Sequence, residues 1–430
     1  VLMPAMANAG PLPAPVTDAD FRPVDPALAA IGRDLYFDRI LSGNRNISCA
    51  TCHHPRFGTS DGVSLGIGEG GIGLGPERRI DPDNPPEQRI GRNAPALFNL
   101  GAYAFTHLFH DGRLEEDPDL PSGIRTPLGE DMAQGFDGIL AAQTMFPVLA
   151  PDEMSGHYGE NEISKAVRQG LITVPGGAWD LLTARVAAIP NYRDAFALAL
   201  PETDAAQPLA FTDIANALEA FIALEFRADN SPFDRHLRGE EALTGSALAG
   251  LELFYGKAGC AICHSGPFQT DHTFHAVAMP QIGPGRTARF ETHSRDDGRL
   301  RVTGDPADAF RFRTPSLRNV ALTAPYGHAG AYSDLRDAVR HMADPPSGLA
   351  SWNPDMALLP EMPASKDDFA TMNDPAQRTA LLEANEARPV ALSDAEIDAL
   401  VAFLDALTDP SSLPERAMVP DAVPSGLPVD

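Results

Sequence analysis

The chain has 430 residues, of which 43% are hydrophobic and 21% are charged. This balance is typical of a soluble globular protein with room for two or three domains. A formal net charge of −26 argues against nucleic acid and anionic lipid as partners. The sequence contains no apolar run long enough to span a membrane.

The N-terminal third begins with a segment of low periodicity. Residues 1–26 are rich in Pro and Ala and predict an arm, and small residues ending near Ala9 resemble the tail of a secretory signal peptide. The segment PALAAIGRDLYF then predicts a helix with Ile31 and Leu35 on one face. A glycine-rich stretch, 62–75, and the polar residues after it predict a long loop.

The rest of the chain predicts further helices and few strands. Thr212 is expected to cap a helix that reaches Leu224, and DNSPFDRHLRGEEALTG reads as a linker. SALAGLELFYG has helical spacing, residues 343–390 have little periodicity, and Ser393 with Glu396 predicts a capping box for a final helix. The predicted fold is mostly α, with an arm (1–26) and two domains (27–235 and 236–430).

All four cysteines belong to two copies of one motif. The copies are CATCH and CAICH, with cysteines and histidines at Cys49, Cys52, His53, Cys260, Cys263 and His264. Because two C-x-x-C-H motifs are improbable by chance and no cysteine remains for a disulfide, these residues are the strongest functional signal in the chain.

Three kinds of site contain paired cysteines. A thioredoxin-like dithiol needs a strand before C-x-x-C, whereas both motifs here follow helical patterns. A zinc site that joins both pairs does not require a histidine in the fifth position, and both motifs have one. A c-type haem site does require this histidine, because the thiols add to the porphyrin and the adjacent histidine binds the iron. We therefore predict two covalent haems with His53 and His264 as proximal ligands, one in each of two cytochrome c-like haem domains with long irregular loops. His54 is expected to be a solvated or propionate-side residue. Such attachment predicts a periplasmic location.

Several blocks resemble the bacterial di-haem cytochrome c peroxidase and MauG family. They extend from about residue 28 to 408 and include SCATCH, RNAPALFNL, FHDGR, AAQTMFPVLAPDEM and TPSLRNVALTAPY. The resemblance implies an N-terminal haem that reacts with peroxide and a C-terminal haem that relays electrons. It also implies that Glu153 moves a proton during O–O cleavage while Gln143 orients peroxide or water.

The resemblance also implies a second axial ligand and a calcium ion. Met342 falls at the family's ligand position for the C-terminal haem, where MauG has tyrosine, and His341 is the competing ligand. A Ca²⁺ between the domains would be held by Asn93, Thr323 and Pro325, although a loop contact without metal is the alternative.

Two positions depart from the family pattern. No histidine occurs between His54 and His107, where many of these peroxidases have a ligand that caps the peroxide-reacting iron, so we expect an open first haem. His110 replaces the tryptophan that usually lies between the haems, which leaves the inter-haem electron route in doubt. Segments 74–90, 155–180 and 343–390 are longer than a plain peroxidase needs.

These inferences predict a periplasmic enzyme that reduces H₂O₂ with electrons from a small cytochrome c or a copper protein. Electrostatic steering would favour a basic donor on so acidic a protein. The alternatives are a MauG-like enzyme that oxidises side chains of a partner protein, and a non-catalytic di-haem electron carrier. A homodimer is compatible with the resemblance.

Overall fold

The structure is a computed structural model that describes residues 11–200, 208–287, 291–362, 367–413 and 419–430. Helices dominate the described residues: α1 (Pro26–Phe37), α2 (Cys49–Cys52), α3 (Ile139–Thr144), α4 (Glu162–Arg168), α5 (Ala178–Ala187), α6 (Pro190–Ala199), α7 (Phe211–Glu225), α8 (Pro232–Leu237), α9 (Gly245–Phe254), α10 (Leu300–Thr303), α11 (Leu335–Ala343), α12 (Pro345–Ser351), α13 (Ala370–Asn373), α14 (Pro375–Ala384) and α15 (Asp394–Asp405).

Strands are short and form three small antiparallel sheets: β1 (Gly71–Ile72) with β2 (Arg79–Ile80), β3 (His107–Leu108) with β4 (Leu114–Glu116) and β5 (Ile124–Arg125), and β6 (Phe274–His275) with β7 (Phe312–Arg313). Gly71 lies opposite Ile80, His107 opposite Glu115, and Phe274 opposite Arg313. The mostly helical class expected from the sequence is confirmed. No helix among the described residues is both long and apolar enough to cross a membrane.

Helix α1 packs closely against α7. The side chain of Asp25 accepts a hydrogen bond from the Ala27 backbone N–H and caps α1, which then carries Pro in its first turn. A Cβ atom at Gly32 would overlap the carbonyl oxygen of Ala217, so the absence of a side chain sets the distance between the two helices.

The second half of the chain repeats this arrangement with α9 and α15. The side chain of Ser393 accepts from the Glu396 N–H while Glu396 accepts from the Ser393 N–H, so the predicted capping box of α15 is confirmed. A Cβ atom at Gly250 in α9 would overlap the carbonyl oxygen of Ala399 in α15. The two helix pairs therefore meet through equivalent glycine contacts.

A pair of buried asparagines extends the repeat. Asn99 (φ 62°) and Asn319 (φ 59°) both adopt the left-handed conformation that asparagine tolerates better than most residues. Asn99 exchanges two hydrogen bonds with Ala228, which follows α7. The Asn319 side chain accepts from the Asp409 N–H, which follows α15. Each asparagine thus connects the segment that follows a C-x-x-C-H motif to the end of the second helix of the pair in its own half, which is α7 for Asn99 and α15 for Asn319.

Three hydrophobic clusters form the interior. The first is built mainly from α1, α3, α5, α6 and α7, and the second from α8, α9 and α15. The third contains Tyr332, Leu349, Trp352 and Leu381. Residues 343–390 were expected to lack periodic structure, but α12, α13 and α14 lie there because their apolar side chains cover the third cluster.

Two further expectations from the sequence need correction. Residues 232–237, expected within a linker, form the capped helix α8, in which Phe233 is fully buried in the second cluster. Helix α7 begins at Phe211, one residue before the predicted cap Thr212, because the Asp213 carboxylate accepts from the Ala210 N–H.

The domain boundary near residue 235 stays a prediction. The described part of the arm packs on the first cluster through Val16 and Phe21, and Ala9 lies outside the described residues. Val423, near the C-terminal end, also packs on the first cluster, so the segment 419–430 does not continue the second core.

We expect Gly32→Ala to destabilise the protein by about 1–3 kcal/mol, because the added methyl group must separate α1 from α7 or distort the Ala217 backbone. Gly250→Ala should have a similar effect in the second half. Thermal unfolding followed by circular dichroism checks both. A rise in Tm, as Gly→Ala gives in an unobstructed helix, would contradict the close contact.

Candidate functional site

The first haem motif forms a short helix followed by a tight turn. Cys49 and Cys52 begin and end α2, and both thiols are free and partly buried. The His53 N–H donates to the Cys49 carbonyl at 3.0 Å, and its ring Nδ1 lies 3.0 Å from the Thr59 carbonyl oxygen. Since a carbonyl only accepts, Nδ1 carries the proton and Nε2 is the ring atom that remains for a ligand bond.

The second motif repeats this geometry. Cys260 and Cys263 are also free, and the His264 N–H donates to the Cys260 carbonyl at 2.9 Å. The His264 Nδ1 lies 3.0 Å from the Gln269 carbonyl oxygen. Thr59 (φ 61°) and Gln269 (φ 47°) both have left-handed backbone conformations, so each turn bends its carbonyl toward the histidine. Burial lowers the pKa of His53 and His264, which favours the neutral form that binds a metal ion.

The thiols show which of the three cysteine chemistries fits. Burial raises the pKa of Cys49, Cys52 and Cys260 to about 12, whereas a redox dithiol needs a lowered thiol pKa. Among the described residues, no cluster of metal-binding side chains joins the two cysteine pairs, which argues against one shared zinc site. Free thiols beside histidines whose Nδ1 is already bound fit two covalent haems.

His54 is not solvated, contrary to one of its two expected roles. It is 7% exposed and packs against the rings of Phe37 and Phe57. Its Nδ1 accepts a hydrogen bond from the Arg56 N–H at 3.1 Å. His54 therefore has a structural role in the turn that follows the first motif.

Glu153 and Gln143 lie on two turns near the first motif. Glu153 is partly buried in a single π-helical turn (Pro151–Ser155), close enough to Cys52 for its charge to raise the pKa of that thiol. Burial raises the pKa of Glu153, and Arg113 and Arg286 oppose this shift. Gln143 lies on α3, and its buried Oε1 has no hydrogen-bond partner. Glu153 is thus a partly buried carboxyl group with a raised pKa, as is the more deeply buried Asp61, whose pKa burial raises to about 7, and Gln143 supplies an uncommitted amide oxygen.

A buried carboxylate organises the charged residues beside Glu153. Asp111, which is 0% exposed, forms ion pairs with Arg92 (2.8 Å), Arg113 (3.2 Å) and Arg286 (2.8 Å). Burial opposes ionisation, but the three guanidinium groups hold the pKa of Asp111 well below its usual range. Asp111 and Arg113 belong to the HDGR segment, which the sequence singled out without giving these residues a role; nothing in the sequence pointed to Arg286.

Hydrogen bonds hold the glycine-rich loop (62–75) in place. The Arg78 guanidinium donates to the carbonyls of Ile67 (2.5 Å), Gly68 (2.6 Å) and Gly73 (2.7 Å). The Glu69 N–H donates to the Asp152 carbonyl at 3.0 Å, which places this loop directly against the turn that carries Glu153. Arg78 was not predicted, because a functional role for a lone arginine in a long loop has no sequence signature.

The two competing ligands of the C-terminal haem differ in their surroundings. The His341 Nε2 donates to the Val277 carbonyl at 2.9 Å, and its Nδ1 lies 2.9 Å from the Tyr332 hydroxyl, so both ring nitrogens have protein partners. Met342 is 38% exposed on α11 and is not buried as a core methionine would be. These contacts disfavour His341 as a ligand, and the assignment of Met342 stays a prediction.

Asn93 and His110 meet where the two halves of the chain touch. The Asn93 N–H donates to the His328 carbonyl, its side chain donates to the Val63 carbonyl, and its own carbonyl accepts from His110 Nε2 at 3.0 Å. The segments RNAP and LTAPYGH are therefore neighbours. The expected Ca²⁺ at Asn93, Thr323 and Pro325 stays a prediction.

Comparisons with known proteins agree with this geometry. The family described as di-haem cytochrome c peroxidase matches residues 26–242. The chain is 30% identical to the methylamine utilization protein MauG of Paracoccus denitrificans, over 93% of this chain and 92% of that protein. It is 31% identical to the cytochrome c551 peroxidase of Pseudomonas aeruginosa, over 78% of this chain and 77% of that protein.

Solved structures give the same result. A MauG-like protein associated with microbial copper homeostasis superposes with a TM-score of 0.60 at 26% identity, covering 97% of both chains. A di-haem peroxidase of Burkholderia thailandensis superposes with a TM-score of 0.56 at 24% identity, covering 93% of this chain and 90% of that one, and shares the fold. Together with the paired C-x-x-C-H units, these matches show that the chain is an oxidoreductase of the di-haem cytochrome c peroxidase and MauG family.

Proposed function

We propose that this protein is a periplasmic di-haem peroxidase that reduces H₂O₂ to water at the haem held by His53. The observation that carries the proposal is the partly buried Glu153, whose raised pKa and closeness to Cys52 provide a proton-transferring group beside the first haem motif. An external cytochrome c or copper protein would supply the electrons through the haem held by His264.

The residues of both motifs have defined tasks in this proposal. The cysteines would bind the porphyrins covalently, and His53 and His264 would bind the irons through Nε2. Each bound haem supplies an iron that changes its oxidation state. Met342 would be the second ligand at His264 and raise that haem's potential, which suits an electron relay.

Glu153 would act on peroxide itself. Cleavage of the O–O bond to give water requires a proton to move from one peroxide oxygen to the other. A carboxylate near the edge of a dry pocket can accept and return that proton, while Gln143 would hold the peroxide or a water molecule through its free amide oxygen. Arg113 keeps Glu153 in range of a positive charge, which limits how far burial can raise its pKa.

An open first haem is part of the proposal. No histidine lies between His54 and His107, and the loop between them is held by Arg78 and by the contact of Glu69 with Asp152. A loop fixed in this way has no ligand to remove before peroxide enters. The oxidised protein should therefore react with peroxide without prior reduction.

A second function is favoured by one observation. The match to the Paracoccus MauG covers 93% of this chain, whereas the match to the Pseudomonas peroxidase covers 78%. A MauG-like enzyme would use peroxide to oxidise side chains of a partner protein. Met342, at the position where MauG has tyrosine, favours the peroxidase. A non-catalytic electron carrier gains no support from these relatives.

Steady-state turnover separates the two functions. We expect the haem-loaded protein to oxidise reduced cytochrome c rapidly when H₂O₂ is added, starting from the fully oxidised state. The measurement is loss of the reduced cytochrome absorbance over time. Negligible turnover with several basic cytochromes and copper proteins would favour the MauG-like function. Activity that appears only after prior reduction would contradict the open first haem.

We expect Glu153→Gln to slow peroxide cleavage by about 100- to 10,000-fold, because glutamine cannot accept the proton. Since burial raises the pKa of Glu153, the wild-type rate should rise with pH across a range above the ordinary glutamate value of about 4.3, as Glu153 loses its proton. Stopped-flow rates measured against pH test this. Glu77→Gln, on an exposed turn, is the matched control; an unchanged pH profile in Glu153→Gln would contradict the role.

We expect Met342→Ala to lower the reduction potential of one haem by on the order of 0.1 V, a part of the roughly 0.8 V range that axial ligands span. Potentiometric titration of both haems measures this change. Met356→Ala, at a partly buried methionine of the third cluster, should leave both potentials unchanged. If Met342→Ala also leaves both unchanged, Met342 is not a ligand.

A further inference from the structure

Three asparagines surround a fully buried carboxylate in the glycine-rich loop. Glu69 is 0% exposed, and its Oε1 accepts hydrogen bonds from the side-chain amides of Asn44 (2.8 Å), Asn46 (2.7 Å) and Asn84 (2.8 Å). Among the described residues, no positively charged group forms an ion pair with this carboxylate. Burying an ionised carboxylate without a counter-charge is costly, so the environment needs a positive partner.

One oxygen of Glu69 has no hydrogen-bond partner among the residues that the structure describes. Its Oε2 is buried and accepts no hydrogen bond. Asn46 Oδ1, on the amide that donates to Glu69, is also buried without a donor, and so is His157 Nε2. One ligand atom from each of Glu69, His157 and Glu160 lies within 4.8 Å of the others. Glu69 and His157, which each carry one of these unused acceptors, therefore belong to one cluster, and Asn46 is hydrogen-bonded to Glu69 within it.

The hydrogen bonds of the cluster orient these atoms. His157 Nδ1 lies 3.3 Å from Glu160 Oε1, so in a neutral ring a proton on Nδ1 faces this carboxylate and Nε2 carries the lone pair. Glu160 Oε2 is held by the His157 N–H at 2.9 Å and by Asn44 Nδ2 at 2.7 Å. A carboxylate behind a histidine and amides behind a ligating carboxylate are the outer-shell contacts that metal sites use.

We propose that Glu69, His157 and Asn46 form a binding site for a divalent metal ion, with Glu160 as the residue that orients His157. The ion would supply the missing positive charge and satisfy the three unused acceptors together. Water would complete its coordination on the exposed side, where Glu160 lies. None of these residues belongs to a C-x-x-C-H motif or to the calcium site expected at Asn93.

The ligand types narrow the choice of ion. Carboxylate and amide oxygens suit Ca²⁺, Mg²⁺ and Mn²⁺, whereas an imidazole nitrogen favours transition ions. Mn²⁺ and Zn²⁺ accept both kinds of ligand. A bound ion would connect the glycine-rich loop with residues 156–161. Both segments already contact the turn that carries Glu153: the Glu69 N–H donates to the Asp152 carbonyl, and the Asn161 side chain donates to the Ser155 carbonyl at 2.9 Å.

The test is a Mn²⁺ titration of chelator-treated, haem-loaded protein, followed by the electron paramagnetic resonance of free Mn²⁺ and repeated with Zn²⁺ as competitor. We expect one bound equivalent in the wild type and a Tm that rises with metal concentration. Glu69→Gln and His157→Ala should each lose that equivalent, and Glu160→Gln should weaken it by about 10- to 100-fold. Glu130→Gln, on an exposed turn, should retain it.

The variants distinguish a metal site from a purely structural cluster. The Glu69 variant could fail to fold because its carboxylate holds three amides, so the partly exposed Glu160 and His157 provide the decisive measurements. Absence of Mn²⁺ and Zn²⁺ binding at millimolar metal would overturn the proposal. Equal binding by the wild type and His157→Ala would do the same, since the ion would then lie elsewhere. A His157 that instead pairs as a cation with Asp152, 3.7 Å away, predicts no metal uptake.

Discussion

In each half of the protein, one hydrogen bond orients the histidine of the haem motif as a ligand: the bond from histidine Nδ1 to a backbone carbonyl. His53 donates to Thr59 and His264 donates to Gln269, both at 3.0 Å. These bonds fix the tautomer and the ring plane, so that Nε2 is the available ligand atom. The accepting residues adopt left-handed backbone conformations although neither is glycine, so the surrounding packing must stabilise both turns.

The packing around these turns is itself duplicated. Gly32 lets α1 approach α7, and Gly250 lets α9 approach α15. Asn99 and Asn319 connect the segments that follow the two haem motifs to the ends of α7 and α15. Each histidine is thereby held between a helix pair and a turn within its own half. The contacts of each unit are long-range in sequence but stay within one half, which explains how one chain can carry two similar motifs with different surroundings.

The differences between the halves lie in their charged and polar residues. Near the first motif, Asp111 forms ion pairs with three arginines. Two of them, Arg113 and Arg286, also oppose the rise that burial causes in the pKa of Glu153. Between the halves, Arg92 connects Asp111 to Asp296, and the Asn93 N–H donates to the carbonyl of His328, whose ring stacks on Phe312 at 3.7 Å within the second half. His110, which replaces the usual tryptophan, donates to Asn93, and burial lowers its pKa to about 4, so it is neutral near pH 7. At this point an ion pair and a hydrogen bond connect the two halves of the molecule.

The sequence alone determined the chemistry that is carried by short, rigid patterns. Two C-x-x-C-H motifs specified covalent haem because thiol and imidazole spacing is a local property of the chain, and helical periodicity located α1, α9 and α15 for the same reason. Tertiary structure decided what depends on distant residues: that His54 is buried, that residues 232–237 form a helix on the second core, and that His341 has no free ring nitrogen. It also brought Glu69, Asn46 and His157 together from segments more than a hundred residues apart. Such clusters depend on long-range packing, and no local spacing in the sequence reveals them.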